Sequence, residues 1–330
     1  MNHVIVYGDR GRYEKYMPDF VHALPIRISF FPSATSPEEI IRSAPDAMAL
    51  LADAITPVTA PLIRALPQLK MIHSDGVGFN ASDVNAAREA GVAVCNCKGC
   101  NADAVAESTV MLMLMVTRYA VPGYRAVIEG RQHIYKEEIM RAAVPEVADH
   151  SIGLVGLGDI ATATAKRLAP FGNRLYYYTL HRRSPEVEAA LNLTYLPLEE
   201  LAATCDILSL HCAVTPETTG MVNEALLARM KPGSYLINTS RGQLIDNEAV
   251  RAALISGHLA GAGFDTLYPE PTPGDHPLVA LPQDVRDRVA YAPHLGGNTG
   301  PAFRRVYLCM WENLRRVLEG QRPINIVNGL

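Results

Sequence analysis

Short apolar runs alternate with amphipathic stretches over the first hundred residues of the chain. The runs are mostly apolar and cover residues 4–6, 26–28, 47–51 and 69–72. This alternation predicts β-α-β units, and such units build a parallel sheet because each parallel strand needs a crossover connection.

A second series of the same type starts at Ser151. Its apolar runs continue through Tyr176, Ile207, Leu236 and Ala262. Between the two series, residues 103–119 are apolar nearly all round and rich in methionine, which predicts one long buried helix. After the second series, residues 303–318 have the pattern of an amphipathic helix. We expect the short tail beyond it to pack on the first series.

These patterns predict an α/β protein with two Rossmann-like or flavodoxin-like domains, each built on a parallel sheet, and an active-site cleft between them. Residues 1–102 together with 296–330 form the first domain, and residues 103–295 form the second. A chain of 330 residues fits this division, since one hydrophobic core usually stops growing at about 250–300 residues.

The composition narrows the range of partners. Apolar residues make up 48% of the chain and charged residues 19%, and the net charge is -4. This balance argues against a surface for DNA, RNA or an anionic membrane. The first residues lack a signal-peptide pattern, and no apolar run approaches the ~20 residues of a membrane span. We expect a soluble, cytoplasmic protein whose partners are a small-molecule substrate and a second copy of itself in a two-fold homodimer.

Six cysteines in a chain of this length are typical of reduced thiols in a cytosolic core. Cys95, Cys97 and Cys100 form a tight C-x-C-x-x-C cluster that would suit half of a metal site. No second cluster with ligand spacing accompanies it, and a structural zinc site normally needs four ligands. We therefore interpret the cluster as the end of a buried strand followed by a polar loop, and we predict no metal.

The segment that opens the second series has the pattern of a dinucleotide site. An apolar strand runs into G-x-G-x-x-A and then into a helical pattern, and the turn contains Gly156, Leu157, Gly158, Asp159 and Ile160. The first glycine permits a tight turn, the second lets backbone approach a pyrophosphate, and the small third residue lets the helix pack closely. Residues 103–295 are therefore predicted to bind a nicotinamide dinucleotide.

The residues at the end of the next strand indicate whether NAD(H) or NADP(H) is bound. An enzyme that uses NAD usually has a carboxylate there for the adenosine ribose hydroxyls, and this chain has Thr179. His181, Arg182 and Arg183 follow it. Because this cluster would attract a 2′-phosphate and a carboxylate would repel one, NADP(H) is the favoured cofactor and NAD(H) the alternative. A solvated basic turn is the other interpretation of the two arginines.

Several motifs occur together in an order that matches a known family. They are Gly76-Val77-Gly78, Ala104-Val105-Ala106-Glu107, the glycine turn at 156–158, the run at 230–242, Gly263-Phe264-Asp265 with Glu270-Pro271, and Pro293-His294-Leu295-Gly296-Gly297. Over most of its length the chain resembles the D-isomer-specific 2-hydroxyacid dehydrogenases. The set is far more specific than any one of its members.

The resemblance implies a catalytic group of Arg241, Glu270 and His294. Arg241 would bind the substrate carboxylate and polarise its carbonyl, His294 would act as the acid or base, and Glu270 would hold His294. The chemistry supports these roles. Hydride addition to a ketone builds negative charge on oxygen and needs a proton donor that recharges near neutral pH. A carboxylate partner orients the imidazole, and arginine offers a planar fork that matches a carboxylate.

The resemblance also implies contacts around this group. The backbone amides of Val77 and Gly78 would meet the substrate carboxylate, so residues 1–102 with 296–330 form the substrate-binding domain. The family commonly has Asp at the position of Asn80, which leaves the hydrogen bonds there open. Other residues are expected to contact the cofactor, and they are Thr239, Ser240, Arg241, Asp265, His294 and Gly296 near the nicotinamide and His211, Cys212 and Ala213 near the adenosine.

The implied reaction is hydride transfer between a nicotinamide and C2 of a small 2-oxo or 2-hydroxy acid of D configuration. Formate dehydrogenases usually have Gln in place of Glu270, which disfavours that activity. Thr179 and its basic neighbours resemble the glyoxylate and hydroxypyruvate reductases that use NADPH, so reduction of such an acid is the leading hypothesis. The alternatives are an NAD-dependent phosphoglycerate-type dehydrogenase and a corepressor-like protein that senses nicotinamide dinucleotides.

Overall fold

Five parallel strands form the sheet of the first of two units. In the computed structural model, which describes all residues from Met1 to Leu330, this unit comprises Met1–Asn101 and Asn298–Leu330. The strand order is β2-β1-β3-β4-β5, an order found in flavodoxin-like folds. The strands are β1 (Asn2–Tyr7), β2 (Ile26–Phe31), β3 (Ala47–Ala52), β4 (Met71–Ser74) and β5 (Ala93–Cys95).

Short helices connect these strands and cover the sheet. They are α1 (Arg10–Lys15), α2 (Pro37–Ser43), α3 (Ala60–Arg64) and α4 (Val84–Glu89). The central strand β3 is buried at all six positions, which explains why its sequence is continuously apolar rather than alternating.

The second unit, Ala102–Gly297, contains a seven-stranded sheet in the order β12-β11-β10-β9-β6-β7-β8. All pairings are parallel. Six of the strands follow the Rossmann order, and β12 adds a seventh at one edge. The strands are β6 (Ser151–Val155), β7 (Arg174–Tyr178), β8 (Leu193–Tyr195), β9 (Ile207–Leu210), β10 (Ser234–Asn238), β11 (Leu259–Phe264) and β12 (Val289–Tyr291). The predicted α/β class with two parallel sheets is confirmed.

Nine α-helices belong to the second unit. They are α5 (Ala102–Thr117), α6 (Ala120–Ile128), α7 (Gln132–Ala142), α8 (Asp159–Leu168), α9 (Pro185–Leu191), α10 (Leu198–Thr204), α11 (Glu224–Arg229), α12 (Asn247–Ile255) and α13 (Gln283–Arg286). Short 3-10 helices occur at Asp19–Ala23, Val147–Asp149, Ala169–Phe171 and Gly242–Leu244. The polar segment at 123–150 is thus mainly helical, because α6 and α7 occupy most of it.

The methionine-rich helix α5 is buried on one face only. Leu112 and Met113 are fully buried, whereas the side chain of Met111 is 44% exposed. The buried face lies so close to β11 that a Cβ atom at Gly263 would come within 2.9 Å of the Leu112 Cβ atom. The expectation of a fully buried helix was wrong, because an apolar groove runs along the opposite face.

The chain returns to the first unit at its carboxyl end through α14 (Gly300–Leu318). Trp311, the single tryptophan, is fully buried there. The tail then runs antiparallel to β5, where Asn328 accepts a hydrogen bond from the Val94 amide at 3.1 Å and donates one to the Val92 carbonyl at 2.8 Å. The tail therefore covers the open edge of β5.

No single helix of the protein combines the length and the apolar character that crossing a membrane requires. Helices α5 and α6 reach both only when taken together, and they are bent by 64° at the break between them.

Candidate active site

The residues predicted in the second unit lie at one edge of its sheet. Since all seven strands are parallel, the loops that follow them start from the same side, where α/β proteins bind ligands. Gly156 follows β6, Thr179 follows β7, His211 follows β9, Arg241 follows β10, Asp265 follows β11 and His294 follows β12.

The turn after β6 leaves room for an anion at the start of α8. Gly156 has φ +97°, and a Cβ atom there would lie 2.9 Å from the backbone of His211 and Cys212. Gly158 is the N-cap residue of α8, no side chain caps this end, and a Cβ atom at Gly158 would have no neighbour within 4 Å. The amides of the first turn therefore face open space, and a dinucleotide pyrophosphate fits there. Leu157 is buried, and Asp159 and Ile160 begin the helix.

The two arginines beyond Thr179 differ in what they bind. Arg182 donates to the Glu188 carboxylate from Nε at 2.8 Å and from Nη2 at 2.9 Å, and its guanidinium lies over the Tyr195 ring. Arg183 reaches back to the glycine turn and donates from Nη2 to the Leu157 carbonyl at 2.6 Å. Of the two arginines, only Arg183 thus places its guanidinium at the glycine turn. The side chain of His181 is exposed.

The loops after β9 and β10 are tied together behind the glycine turn. Ser240 Oγ donates to the Cys212 carbonyl at 2.6 Å, and the Ala213 carbonyl accepts from Thr218 Oγ1 at 2.8 Å. Desolvation lowers the pKa of His211 to about 4, so its ring is neutral near pH 7 and is a poor general acid.

Arg241 stands between β10 and a 3-10 turn. Its Nη1 donates to the Ser240 carbonyl at 2.8 Å, and Asn238 Nδ2 donates to the Arg241 carbonyl at 2.9 Å. At Gly242 a Cβ atom would lie 2.3 Å from the carbonyl carbon of Leu267. The loop that carries Arg241 therefore packs directly against the loop that leads to Glu270. Glycine at 242 makes this approach possible, and sequence reasoning gave it no role.

His294 and Glu270 form a hydrogen-bonded pair. The distance from His294 Nδ1 to Glu270 Oε2 is 2.9 Å, and the two side chains are 46% and 44% exposed. Both border a cavity of about 460 Å³, which Asp265 and Tyr291 also line. The carboxylate thus orients the imidazole beside a space that is open to solvent or to a small ligand.

Asp265 anchors the loop that carries His294. Its carbonyl accepts from the His294 amide at 2.8 Å, its Oδ1 from the Leu295 amide at 2.8 Å and its Oδ2 from the Gly296 amide at 2.9 Å. A Cβ atom at Gly296 would lie 2.6 Å from Oδ2. Within this clasp His294 has φ +54°, a left-handed conformation that is rare outside glycine.

In the first unit, Val77 and Gly78 lie in the loop after β4. The Val77 carbonyl accepts from Asn96 Nδ2 at 2.8 Å, and the Gly78 carbonyl accepts from Ser74 Oγ at 2.6 Å. The hydrogen bonds within the protein give neither amide N–H an acceptor. The loop is thus held by its carbonyls and presents two adjacent amide donors, which suits an anionic ligand.

A buried charge cluster next to this loop was missed by the sequence reasoning. Arg12 donates to Asp53 and, at 2.9 Å, to Asp75 Oδ2, and the Ala54 amide donates to Asp75 Oδ1 at 3.0 Å. Desolvation raises the pKa of Asp75 well above its usual range, and the charge of Asp53 adds to the rise. The only signal in the sequence was an acidic residue between a buried strand and a glycine.

The comparisons with known proteins agree with this fold. The profile of the family "D-isomer specific 2-hydroxyacid dehydrogenase, NAD binding domain" matches residues 110–296. A glyoxylate reductase of Thermofilum pendens is 38% identical over 293 residues, which are 89% of this chain and 85% of that protein.

Two solved structures have the same fold over nearly the full length. A D-mandelate dehydrogenase of Rhodotorula graminis superposes with a TM-score of 0.85 at 28% identity, covering 99% of this chain and 97% of that one. A glyoxylate reductase of Paecilomyes thermophila gives a TM-score of 0.83 at 27% identity, covering 99% and 98%. A nicotinamide cofactor is therefore supported for the second unit.

Replacing Gly156 with alanine should weaken dinucleotide binding by about tenfold or more, because a side chain at φ +97° is strained and meets backbone. The dissociation constant is measured by quenching of protein fluorescence or by calorimetry. Gly172→Ala is the matched control, since Gly172 has φ +80° but no atom within 4 Å of its Cβ position. Equal dissociation constants for the two variants would rule out a cofactor role for the turn.

Proposed function

The chain belongs to the D-isomer specific 2-hydroxyacid dehydrogenase family, and from that premise we propose that it reduces a small 2-oxo acid such as glyoxylate or hydroxypyruvate with NADPH. The observation that carries the proposal is the His294–Glu270 pair beside a cavity, at the same sheet edge as the glycine turn of α8. A reduced nicotinamide supplies the hydride when it is bound.

His294 is proposed as the proton donor to the ketone oxygen. Its Nδ1 faces the Glu270 carboxylate at 2.9 Å, which orients the ring, and Nε2 is proposed as the nitrogen that transfers the proton. The exposure of both side chains lets bulk water restore the proton after each turnover. In the direction of oxidation the same nitrogen would accept the proton from the hydroxyl group.

Arg241 is proposed to bind the substrate carboxylate and to polarise the ketone. Its guanidinium is held at the Ser240 carbonyl by one of its nitrogens, which leaves the planar fork available for a carboxylate. The amides of Val77 and Gly78 are proposed as further donors to the substrate.

NADPH is preferred over NADH in this proposal because of Arg183. Position 179 is a threonine, so no carboxylate after β7 repels a 2′-phosphate, and Arg183 lies over the glycine turn. A phosphate would gain a charge-assisted hydrogen bond there. Arg182 is a weaker candidate than the sequence indicated, because Glu188 already neutralises it.

A panel of 2-oxo acids tested with both cofactors decides between the proposed enzyme and a dinucleotide-sensing protein. We expect oxidation of NADPH with glyoxylate or hydroxypyruvate and little with 3-phosphohydroxypyruvate. Tight NADPH binding without oxidation by any acid in the panel would overturn the enzyme assignment. Turnover confined to the phosphorylated acid and NADH would instead support the phosphoglycerate-type alternative.

Replacing His294 with asparagine should lower kcat by about 10²- to 10⁴-fold, the usual contribution of a general acid. The NADPH dissociation constant should stay close to that of the unchanged protein. Steady-state kinetics and fluorescence titration measure the two quantities. His258→Asn is a control at a half-buried histidine before β11, at the opposite end of that strand from Asp265, where Nε2 lies 2.7 Å from the Leu227 carbonyl. If both variants keep full kcat, His294 is not the acid.

Replacing Arg183 with alanine should raise the Michaelis constant for NADPH by about tenfold to a hundredfold, the value of a charge-assisted hydrogen bond. The constant for NADH should change little, since NADH lacks the 2′-phosphate. Arg182→Ala is the matched control and should have the smaller effect, because its partner is Glu188. An unchanged ratio of kcat/KM for the two cofactors in Arg183→Ala would contradict the NADPH preference.

A two-fold homodimer is also proposed, and the exposed face of α5 supports it. Val110, Met111, Leu114, Met115 and Phe171 line a largely apolar groove of about 590 Å³. Met111→Glu should convert a dimer into a monomer in light scattering at micromolar concentration. Ile255→Glu is the control, since Ile255 is also 44% exposed but lies on α12. A dimer that survives Met111→Glu would place the interface elsewhere.

A further inference from the structure

Three potential metal ligands from three separated parts of the chain meet in the first unit, and a fourth, Cys100, follows one of them in the same loop. His73 lies on β4, Cys97 and Cys100 lie in the loop after β5, and Cys309 lies on α14. The ligand atoms of His73, Cys97 and Cys309 are all within 4.8 Å of one another. The sequence contains no second cluster with ligand spacing, but folding brings His73 and Cys309 to Cys97 from distant positions.

Cys100, three residues after Cys97, offers a third thiol. The run Cys97-Lys98-Gly99-Cys100 closes into a turn in which the Cys100 amide donates to the Cys97 carbonyl at 3.1 Å, and Gly99 has φ +81°. Cys97 Sγ donates to the Ser74 carbonyl at 3.4 Å and lies 3.6 Å from the Val306 carbonyl, which places it between β4 and α14. The turn therefore holds Cys100 in the same short loop as Cys97, and C-x-x-C loops of this kind supply paired ligands in structural metal sites.

The surroundings hold His73 in the tautomer that a metal needs. Nδ1 donates to the Ser74 carbonyl at 2.8 Å, so Nε2 carries the lone pair. Asn313 Nδ2 now lies 3.0 Å from that nitrogen and also donates to the Ile324 carbonyl at 3.0 Å. An ion at Nε2 would displace one amide hydrogen bond of Asn313, and the other would remain.

From this geometry we propose that His73, Cys97, Cys100 and Cys309 bind one thiophilic d10 ion, Zn²⁺ or Cu⁺, in a closed tetrahedral or trigonal site. Zn–S bonds of ~2.3 Å place tetrahedral sulfur ligands ~3.8 Å apart, so the side chains must move together by about 1 Å. The thiols lose their protons to solvent as the ion binds. Thiolate and imidazole donors select these soft ions over Mg²⁺ or Ca²⁺.

The site would act on the loop that holds Val77 and Gly78. The Cys97 amide donates to the Gly76 carbonyl at 2.9 Å, and Asn96 Nδ2 donates to the Val77 carbonyl at 2.8 Å. Arg305 on α14 donates from Nε to the Cys100 carbonyl at 2.8 Å. An ion that joins Cys97 and Cys100 to Cys309 would therefore fix this loop against α14. Its role is structural, since the ligands leave no open position for a substrate.

The test uses the full-length, untagged protein, reduced with a phosphine and stripped with a chelator. Co²⁺ serves as a spectroscopic probe whose charge-transfer absorption reports thiolate ligands, and Zn²⁺ then displaces it. In a second experiment, competition with a chromophoric chelator measures the dissociation constant for Cu⁺. We expect one ion per chain, release of protons on binding, and a higher melting temperature. The ion with the lower dissociation constant, Zn²⁺ or Cu⁺, is then assigned to the site.

Cys97→Ser and Cys309→Ser should each weaken binding at least tenfold and abolish the rise in melting temperature. Cys205→Ser, a buried thiol of the second unit, should leave both unchanged. If Cys97→Ser does not fold, the half-buried Cys309 and Cys100 positions supply the variants. Substoichiometric binding of both ions to the reduced protein overturns the proposal, as does equal affinity in Cys309→Ser. A Cys97–Cys100 disulfide with no metal binding after reduction also overturns it.

Discussion

The clasp that Asp265 forms around residues 294–296 is the interaction on which the candidate site depends. One buried aspartate accepts three backbone amides, two of them with its carboxylate oxygens. Hydrogen bonds to a charged acceptor are each worth about 1.5–3 kcal/mol. A left-handed φ at a residue other than glycine costs about 1–3 kcal/mol. The clasp therefore offsets the strain at His294 and fixes the backbone from which its ring meets Glu270.

Parallel strand order places the clasp next to the cofactor turn. Asp265, Arg241 and Gly156 are far apart in sequence, but they follow β11, β10 and β6 and so share the carboxyl edge of the sheet. Two glycines then allow the loops to touch. Gly156 lets the turn after β6 reach the backbone at His211, and Gly242 lets the loop of Arg241 reach Leu267. Both contacts are backbone packing, and a Cβ atom would separate the loops.

The features that sequence could predict are those encoded locally. The glycine turn, the strand before it and the helix after it lie within a short stretch, and the pattern alone predicts them. The short strands β8 and β12 were not identified, whereas the equally short β5 was, from the continuous apolar run at residues 92–95. The pairing of Arg182 with Glu188 depends on where α9 begins, and the clasp of Asp265 consists of bonds to backbone. The meeting of His73 with Cys309 requires the whole first unit to fold. Interactions between residues that are close in sequence could thus be predicted. Interactions that form only when distant segments pack together were missed.

Helix α5 has a buried face and an exposed face, and both are apolar, so its sequence does not distinguish one from the other. Thr109 on its inner face donates or accepts a hydrogen bond with Thr239 Oγ1 at 2.8 Å, and Leu112 packs against the backbone of β11 at Gly263. These contacts hold the strands whose following loops carry Arg241 and Asp265. The outer face keeps Met111 and Leu114 at the groove. An amphipathic helix could not do both, because a polar outer face would leave the groove without apolar walls. The nearly uniform apolar character of α5 therefore corresponds to two apolar faces, the buried face inside the unit and the face that lines the groove on its exterior.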